Sequence, residues 1–433
     1  MGTTLSARGA LLLVPGIICI VSPPVRAEAP HLGLPQAVEY SLRNNGELKA
    51  FREEKGIHDA AVIRAGLLPN PTLELEGGTG ALTGSSAENS VSLWVLQEFP
   101  LAGKREKRRS VADREVEMYR WQLSDRERLL RAEVKTGYYD VLLAAKRADL
   151  AERAIELERQ LLEIAGERLA AGDIPELEMN LVKVELARSE GVRIECARVL
   201  SQARAKLWTL MGLPRGDAPA MAGTIDSGTG TAMTKTAADL KRLATGNRPD
   251  LKALEAEKGR GDADIILAQA ERVPNLTAGL ALKRDTTSME IGGIEGKETA
   301  VTIGMRLSMP IPLFDRNQAA VQEARARRNS TDSRRVAAVE AAEREVETAY
   351  AGYLDSEKLL SLYKNAIIPQ FEENLKLSRE AYRLGEIGIQ SVIQEHKKFF
   401  EVNDGYLTAL HGRQAALVNL ESATATELTG GIQ

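Results

Sequence analysis

The sequence predicts a mixed α and β chain, internally duplicated, with long coiled-coil-like helices and four β-strands. Three observations predict it. Four fragments recur in the same order at a spacing of roughly 200 residues, the mark of an internal repeat. Asn44-Asn45-Gly46-Glu47-Leu48 pairs with Asn247-Arg248-Pro249-Asp250-Leu251, and Leu68-Pro69-Asn70-Pro71 with Val273-Pro274-Asn275-Leu276. Val91-Ser92-Leu93 through Phe99-Pro100 pairs with Val301-Thr302-Ile303 through Met309-Pro310, and Gly172-Asp173-Ile174 with Gly385-Glu386-Ile387. The stretch from Gly103 to Ala171 contains no proline and is densely charged, as a very long helix requires. The composition, 27% charged and only 4% aromatic over 433 residues, suits thin helical seams and not thick cores.

The first element is Arg8 followed by an apolar run, Leu11–Val21, then a Ser-Pro-Pro break and Val25-Arg26-Ala27. This is the layout of a secretory signal over 1–27, cleaved after Ala27. Eleven apolar residues fall short of the ~20 that span a bilayer. The residue before Cys19 is Ile18, which does not favour lipidation, and after cleavage Cys196 stands alone. No later segment reaches transmembrane-helix length, so an exported chain that enters a membrane does so as strands.

Each repeat then follows the same plan. The first, 28–212, carries a lead-in helix near 34–66, strands near 72–78 and 91–99, a long helix near 103–171 and a return helix near 175–212. The second, 247–433, carries a lead-in helix near 249–272, strands near 275–283 and 300–309, a long helix near 317–384 and a return helix near 388–428. The Gly-, Thr-, Ala- and Pro-rich stretch 213–246 between them is expected to form an equatorial belt. Loops are expected at 77–88 and 284–298.

The strands alternate apolar and polar residues, so each has two unlike faces. Leu280 and Leu282 alternate with Gly279, Ala281 and Lys283, and Val301, Ile303, Met305 and Leu307 with Thr302, Gly304, Arg306 and Ser308. Glu74, Glu76, Lys283 and Arg306 suit a watery lumen and would be costly in a dry core. Four strands cannot close, because the smallest membrane barrels have about eight; three chains sharing a barrel would supply twelve. A soluble four-stranded sheet lying on the helices is the alternative.

In the first long helix two heptad rows stand out, Val134, Val141, Ala148, Ile155, Leu162, Leu169 and Leu143, Leu150, Leu157, Ile164, Ala171. They lie about 200° apart around the helix, so the helix is packed on two flanks, as in the wall of a tube. A solvent-exposed coiled-coil rod would need one seam only.

Several function classes are disfavoured. A formal charge of −4 argues against nucleic-acid binding. His31, His58, His396 and His411 are too scattered for a zinc motif, and no phosphate loop or Ser-His-Asp pattern is present. No enzyme chemistry, cofactor or resident metal is expected.

The whole mature chain resembles the TolC-type outer-membrane efflux channels, and most closely their CzcC-like heavy-metal branch. The motifs that carry the resemblance are Leu67-Leu68-Pro69-Asn70-Pro71, Gln97-Glu98-Phe99-Pro100-Leu101-Ala102-Gly103-Lys104-Arg105, and Pro310-Ile311-Pro312-Leu313-Phe314-Asp315-Arg316-Asn317-Gln318. The resemblance implies a homotrimer with a shared 12-stranded outer-membrane β-barrel in lipid and a periplasmic α-barrel. It also implies a periplasmic membrane-fusion adaptor and an inner-membrane pump of the resistance-nodulation-division type. The localisation implied is the outer membrane of a Gram-negative bacterium. By analogy the Gly-containing turns are periplasmic tips. The adaptor-contacting candidates are Arg168, Leu169, Gly172, Asp173 and Ile174, with Arg383, Leu384, Gly385, Glu386 and Ile387. The prototype lines its constriction with acidic residues six and nine positions after the second tip glycine; here those positions hold Ser391 and Gln394. Glu176, Glu178 and Glu395 are the nearby acidic replacements, with Glu178 and Glu395 the candidates to face the pore and concentrate cations. The function implied is a passive exit duct for heavy-metal cations, with multidrug efflux or type I secretion as alternative cargo. A periplasmic coiled-coil scaffold is the alternative of another class.

Overall fold

The structure is a computed structural model and describes residues 32–83, 85–214, 219, 221–226 and 233–428. The expected signal segment 1–27 lies outside the described residues. The elements in chain order are α1 (Leu34–Asn44), α2 (Gly46–Glu53), α3 (Lys55–Gly66), β1 (Thr72–Gly80), β2 (Ser85–Phe99), α4 (Lys104–Ala170) and α5 (Glu176–Met211), then α6 (Ala237–Asn247), α7 (Pro249–Ala270), β3 (Leu276–Ile291), β4 (Ile294–Ser308), α8 (Gln318–Leu362), α9 (Ile368–Arg383) and α10 (Ile389–Thr424).

The four strands form one antiparallel sheet in the order β1-β2-β3-β4, with β1 and β4 at its edges. The helices beside the sheet keep the same order, α3 on α4, α4 on α7, α7 on α8. Farther from the sheet α4 packs on α5 and on α10, and α10 packs on α8 and α9. A helix in such a wall needs a packing face on each flank, and α4 has them. Its 67 residues would extend about 100 Å at 1.5 Å per residue.

Four elements differ from the sequence expectation. The loops expected at 77–88 and 284–298 are largely strand: β2 begins at Ser85, and β3 and β4 run to a two-residue turn at Gly292-Gly293. The ladder continues because backbone pairing does not require apolar side chains. The first lead-in helix is cut into α1, α2 and α3. Asn45 makes the first cut by capping α2: its side chain accepts from Leu48 N at 2.9 Å and donates to Leu210 O at 2.9 Å. The second long helix passes through a π-helical turn at Tyr363–Ile367, just before Pro369. Proline cannot donate the hydrogen bond that an unbroken helix requires there.

The largest apolar cluster lies at mid-length and not at either end. It joins Val134, Tyr138 and Val141 of α4 to Leu207 and Met211 of α5, Leu410 and Val418 of α10, and Ile225 of the segment between α5 and α6. A second cluster near the helix turns joins Leu161, Ala165, Ile174, Val182, Tyr382, Ile389, Val392 and Ile393. Among the described residues no helix is long and apolar enough to cross a membrane.

Candidate functional site

The register of the sheet sorts its side chains onto two faces. Pairing aligns Glu74 with Trp94, Ala281 and Gly304, and Glu76 with Ser92, Lys283 and Thr302. These polar and small residues therefore share one face. Its charges are answered locally: Arg306 Nη1 lies 3.9 Å from Glu74, Lys283 Nζ is 2.9 Å from Asp285, and Ser92 Oγ donates to Glu76 at 3.3 Å. The Arg306 guanidinium also sits 4.0 Å over the Trp94 ring, which explains why an indole occupies a polar face.

The other face holds Leu73, Leu75, Val91, Leu93, Val95, Leu280, Leu282, Val301, Ile303, Met305 and Leu307, and every one of them is exposed. Exposure runs from 41% at Leu93 to 81% at Ile303. A contiguous exposed apolar face of this kind requires a nonaqueous neighbour. The face ends where the outward positions turn polar, at Arg284 on β3 and Thr299 on β4. Beyond that level the β3–β4 hairpin continues with polar side chains such as Thr286 and Thr299, whose hydroxyls lie 3.2 Å apart.

At the far end of the helices the two Gly turns have the same geometry. Asp173 N donates to Arg168 O at 2.9 Å and Gly172 N to Leu169 O at 3.0 Å. Glu386 N donates to Ala381 O at 2.8 Å and Gly385 N to Tyr382 O at 3.0 Å. Both are Schellman motifs, with glycine in the left-handed region at φ +81° and +79°. An L side chain at either position would be strained.

The candidate tip residues separate by exposure. Gly172, Asp173, Arg383, Leu384, Gly385 and Glu386 are exposed, Leu384 at 71%. Ile174 is buried in the second cluster, and Leu169 and Ile387 pack against it half-buried. Arg168 turns toward the other hairpin: Nη1 donates to Tyr382 O at 3.1 Å and the guanidinium lies 4.8 Å from the Tyr382 ring centroid. Arg168 therefore holds the two turns together and is half-buried in doing so. Leu177, 68% exposed just past the first turn, is a surface residue that the turn motif did not single out.

Glu176, Ser391 and Gln394 are exposed, while Glu178 and Glu395 are half-buried. Glu395 accepts from Lys398 Nζ at 2.9 Å on the same helix. Behind the turns sits a polar pair that sequence reasoning missed. His396 Nδ1 lies 3.2 Å from Glu158 Oε1, with side chains 2% and 7% exposed. Glu158 continues a buried row on α4, Gly137, Ala144, Ala151, Glu158 and Ala165, at heptad spacing. Small residues and one charge hide that row from a hydrophobicity reading. Among the described residues no group of three or more His, Cys, Asp or Glu could hold a metal ion.

The family model described as outer membrane efflux protein matches residues 41–213 and 240–426. The chain is 24% identical over 387 residues to the cobalt-zinc-cadmium resistance protein CzcC of Cupriavidus metallidurans, covering 89% of this chain and 88% of that one. It is 26% identical over 292 residues to the nickel-cobalt-cadmium resistance protein NccC of Alcaligenes xylosoxydans xylosoxydans, covering 65% and 61%. Among solved structures, CusC superposes with a TM-score of 0.75 at 18% identity over 95% of this chain and 96% of that one. The open-state MtrE outer membrane channel of Neisseria gonorrhoeae does so with 0.71 at 20% identity, over 91% and 89%. At these identities the structural likeness establishes the fold.

Proposed function

This chain belongs to the outer membrane efflux protein family, and on that premise we propose that three copies form the exit duct of a tripartite efflux system for heavy-metal cations. The observation that carries the duct is the two-faced sheet. Lipid solvates its exposed apolar face, and its polar face, with the Glu74–Arg306 and Lys283–Asp285 pairs, lines water. Both edges must pair, because an unpaired strand edge in hydrocarbon costs several kcal/mol per unsatisfied group. Three copies joined edge to edge give twelve strands, a size that leaves room for an aqueous lumen. The helices, packed on two flanks, continue the wall into the periplasm.

The exposed turn residues Asp173, Arg383, Leu384 and Glu386 are the surface offered to a periplasmic adaptor, and through it to an inner-membrane pump of the resistance-nodulation-division type. Glu178 and Glu395 face the pore in this reading and raise the local cation concentration. Lys398 partly offsets Glu395, which makes Glu178 the stronger contributor. Metal cargo is supported by the likeness to two metal-resistance proteins along most of the chain of one and over half of the other. No catalysis is proposed: the duct is passive, and cargo choice rests with the pump.

A deletion strain tested against zinc, cadmium, cobalt and a panel of drugs checks the cargo. Sensitivity to the metals, restored by the gene, is expected. Sensitivity confined to drugs would move the cargo to the multidrug alternative. Single-channel recording checks the pore residues: cation selectivity unchanged in Glu178→Gln/Glu395→Gln would remove them from the lumen.

A further inference from the structure

The nine-residue link between β4 and α8, Met309–Asn317, exposes Ile311, Leu313 and Phe314 at 75, 65 and 93%. The corresponding link in the first repeat, between β2 and α4, is four residues long, Pro100–Gly103. That shorter link is seated within its own chain. Lys104, the first residue of α4 and 6% exposed, donates through Nζ to Asn275 Oδ1. Asn275 Nδ2 in turn donates to Glu98 Oε1 at the end of β2. The β2–α4 link thus rests on the α7–β3 link of the other repeat.

The duplication maps Asn275 onto Asn70, and Lys104 onto Gln318, since each follows a left-handed N-cap residue, Gly103 or Asn317. The counterpart surface for the β4–α8 link is therefore the α3–β1 link. Within one chain the two lie at opposite edges of both the sheet and the helix row. A second copy placed edge to edge brings them together. The helix before that link is built to receive a neighbour. No residue of α3 is buried. Its half-buried positions His58, Ala61, Val62 and Ala65 form the α4-facing flank, with the His58 ring 4.7 Å from that of Tyr119 of α4 and tilted 34° to it. At 100° per residue Ala60 and Ile63 lie opposite that flank and Ile57 lies to its side, an exposed surface that leads into Leu67. Ile57, Ile63 and Leu67 are 69, 66 and 60% exposed.

We propose that the Ile311–Phe314 segment of one copy packs on the Ile57–Ile63–Leu67 surface of a second copy. The inference rests on the shared-barrel reading above and adds the contact that sets the junction between barrel and helical tube. It gives the Pro-Ile-Pro-Leu-Phe run its purpose. The longer second link is anchored on its own chain at Asn317, whose Nδ2 donates to Ala268 O of α7 at 2.8 Å, and its apolar middle reaches across the boundary between copies.

The test places a photo-crosslinker, p-benzoylphenylalanine, at Phe314, and separately at Ile311, in the full chain expressed in outer membranes. Two differently tagged forms are co-expressed, so that products carrying both tags are links between copies. The expected product carries both tags and joins position 314 or 311 to peptides within residues 57–71. Links confined to one tag, links to other regions of a second copy, or lipid adducts alone would overturn the proposal. The same crosslinker at Val301 on the β4 edge reports the shared barrel independently, through two-tag links to residues 72–80. Success at 301 with failure at both 311 and 314 removes the proposed contact and keeps the barrel. Failure at 301 as well removes the barrel reading itself.

Discussion

Arg306 on β4 lies 4.0 Å over the ring of Trp94 on β2, reaching across the whole width of β3. The crossing is possible because the intervening positions are small: Gly279 and Ala281 on β3, and Gly304 beside Ala281 on β4. A Cβ at Gly304 would already stand 3.7 Å from the indole. The polar face is therefore organised by a cation on an aromatic ring, with Glu74 as a weaker second partner at 3.9 Å.

Trp94→Ala is expected to lower the stability of the folded oligomer by about 0.5–2 kcal/mol, the range for a cation–π contact, and Trp94→Phe by less. Ile303→Lys, on the opposite face, should cost more, about 2–4 kcal/mol if it lies near mid-bilayer. The temperature at which the unheated oligomer dissociates on a gel reads both. A milder effect at Ile303 than at Trp94 would contradict the assignment of faces.

The alternation that defines those faces was legible in the sequence, clearly in β3 and β4 and less so in β2, where Trp94 and Leu96 break the polar rhythm. Trp94 is explained by a partner, Arg306, that is 212 residues away in sequence, and no local pattern contains it. The extra strand length at Ser85–Ser90 and Thr286–Thr299 was hidden for a related reason. Mostly polar residues with no sustained alternation look like loop, yet backbone pairing carries the ladder through them. The turn glycines were legible because the left-handed backbone selects glycine. Which neighbouring side chains reach the surface was not: Ile174 and Arg168 are drawn inward by the other hairpin, and that hairpin is distant in the chain.

The Glu158–His396 contact joins α4 to α10 where both side chains are nearly inaccessible. Glu158→Leu or His396→Leu alone leaves a buried polar group without its partner and should cost about 1–3 kcal/mol. The double substitution should recover most of that loss, since an apolar pair can replace a buried polar one at little cost. Thermal unfolding of the four proteins in a double-mutant cycle decides it; additive losses would show that the two residues do not act as a pair.

Arg248 is 6% exposed and ties three elements together. Its Nη2 is 2.8 Å from Asp250 on α7, its Nη1 is 2.6 Å from Glu345 on α8, and Nη1 also donates to Ala423 O on α10 at 3.2 Å. Burial acts to raise the Asp250 carboxyl, but the hydrogen bonds and charge of Arg248 outweigh it and hold the group below its usual 3.8. A depressed carboxylate stabilises the fold above the unfolded pKa, and that stability is lost as pH falls through the folded value. Asp250→Asn should therefore remove part of the stability change below about pH 4 and leave its slope at neutral pH unchanged. Arg248→Ala should cost about 2–3 kcal/mol at pH 7, less than a fully buried pair because Asp250 and Glu345 keep some hydration. Unfolding midpoints from pH 3 to 7 test both, and an unchanged acid limb in Asp250→Asn would contradict the assignment.

In the proposed duct, alternate residues of β4 face lipid and water. Single cysteines along β4 from Val301 to Leu307, in a Cys196→Ser background, can be probed in native outer membranes with a membrane-impermeant maleimide. Fast labelling is expected at Thr302, Gly304 and Arg306, and protection at Val301, Ile303, Met305 and Leu307. Uniform labelling along the strand, or protection in the opposite phase, would contradict it.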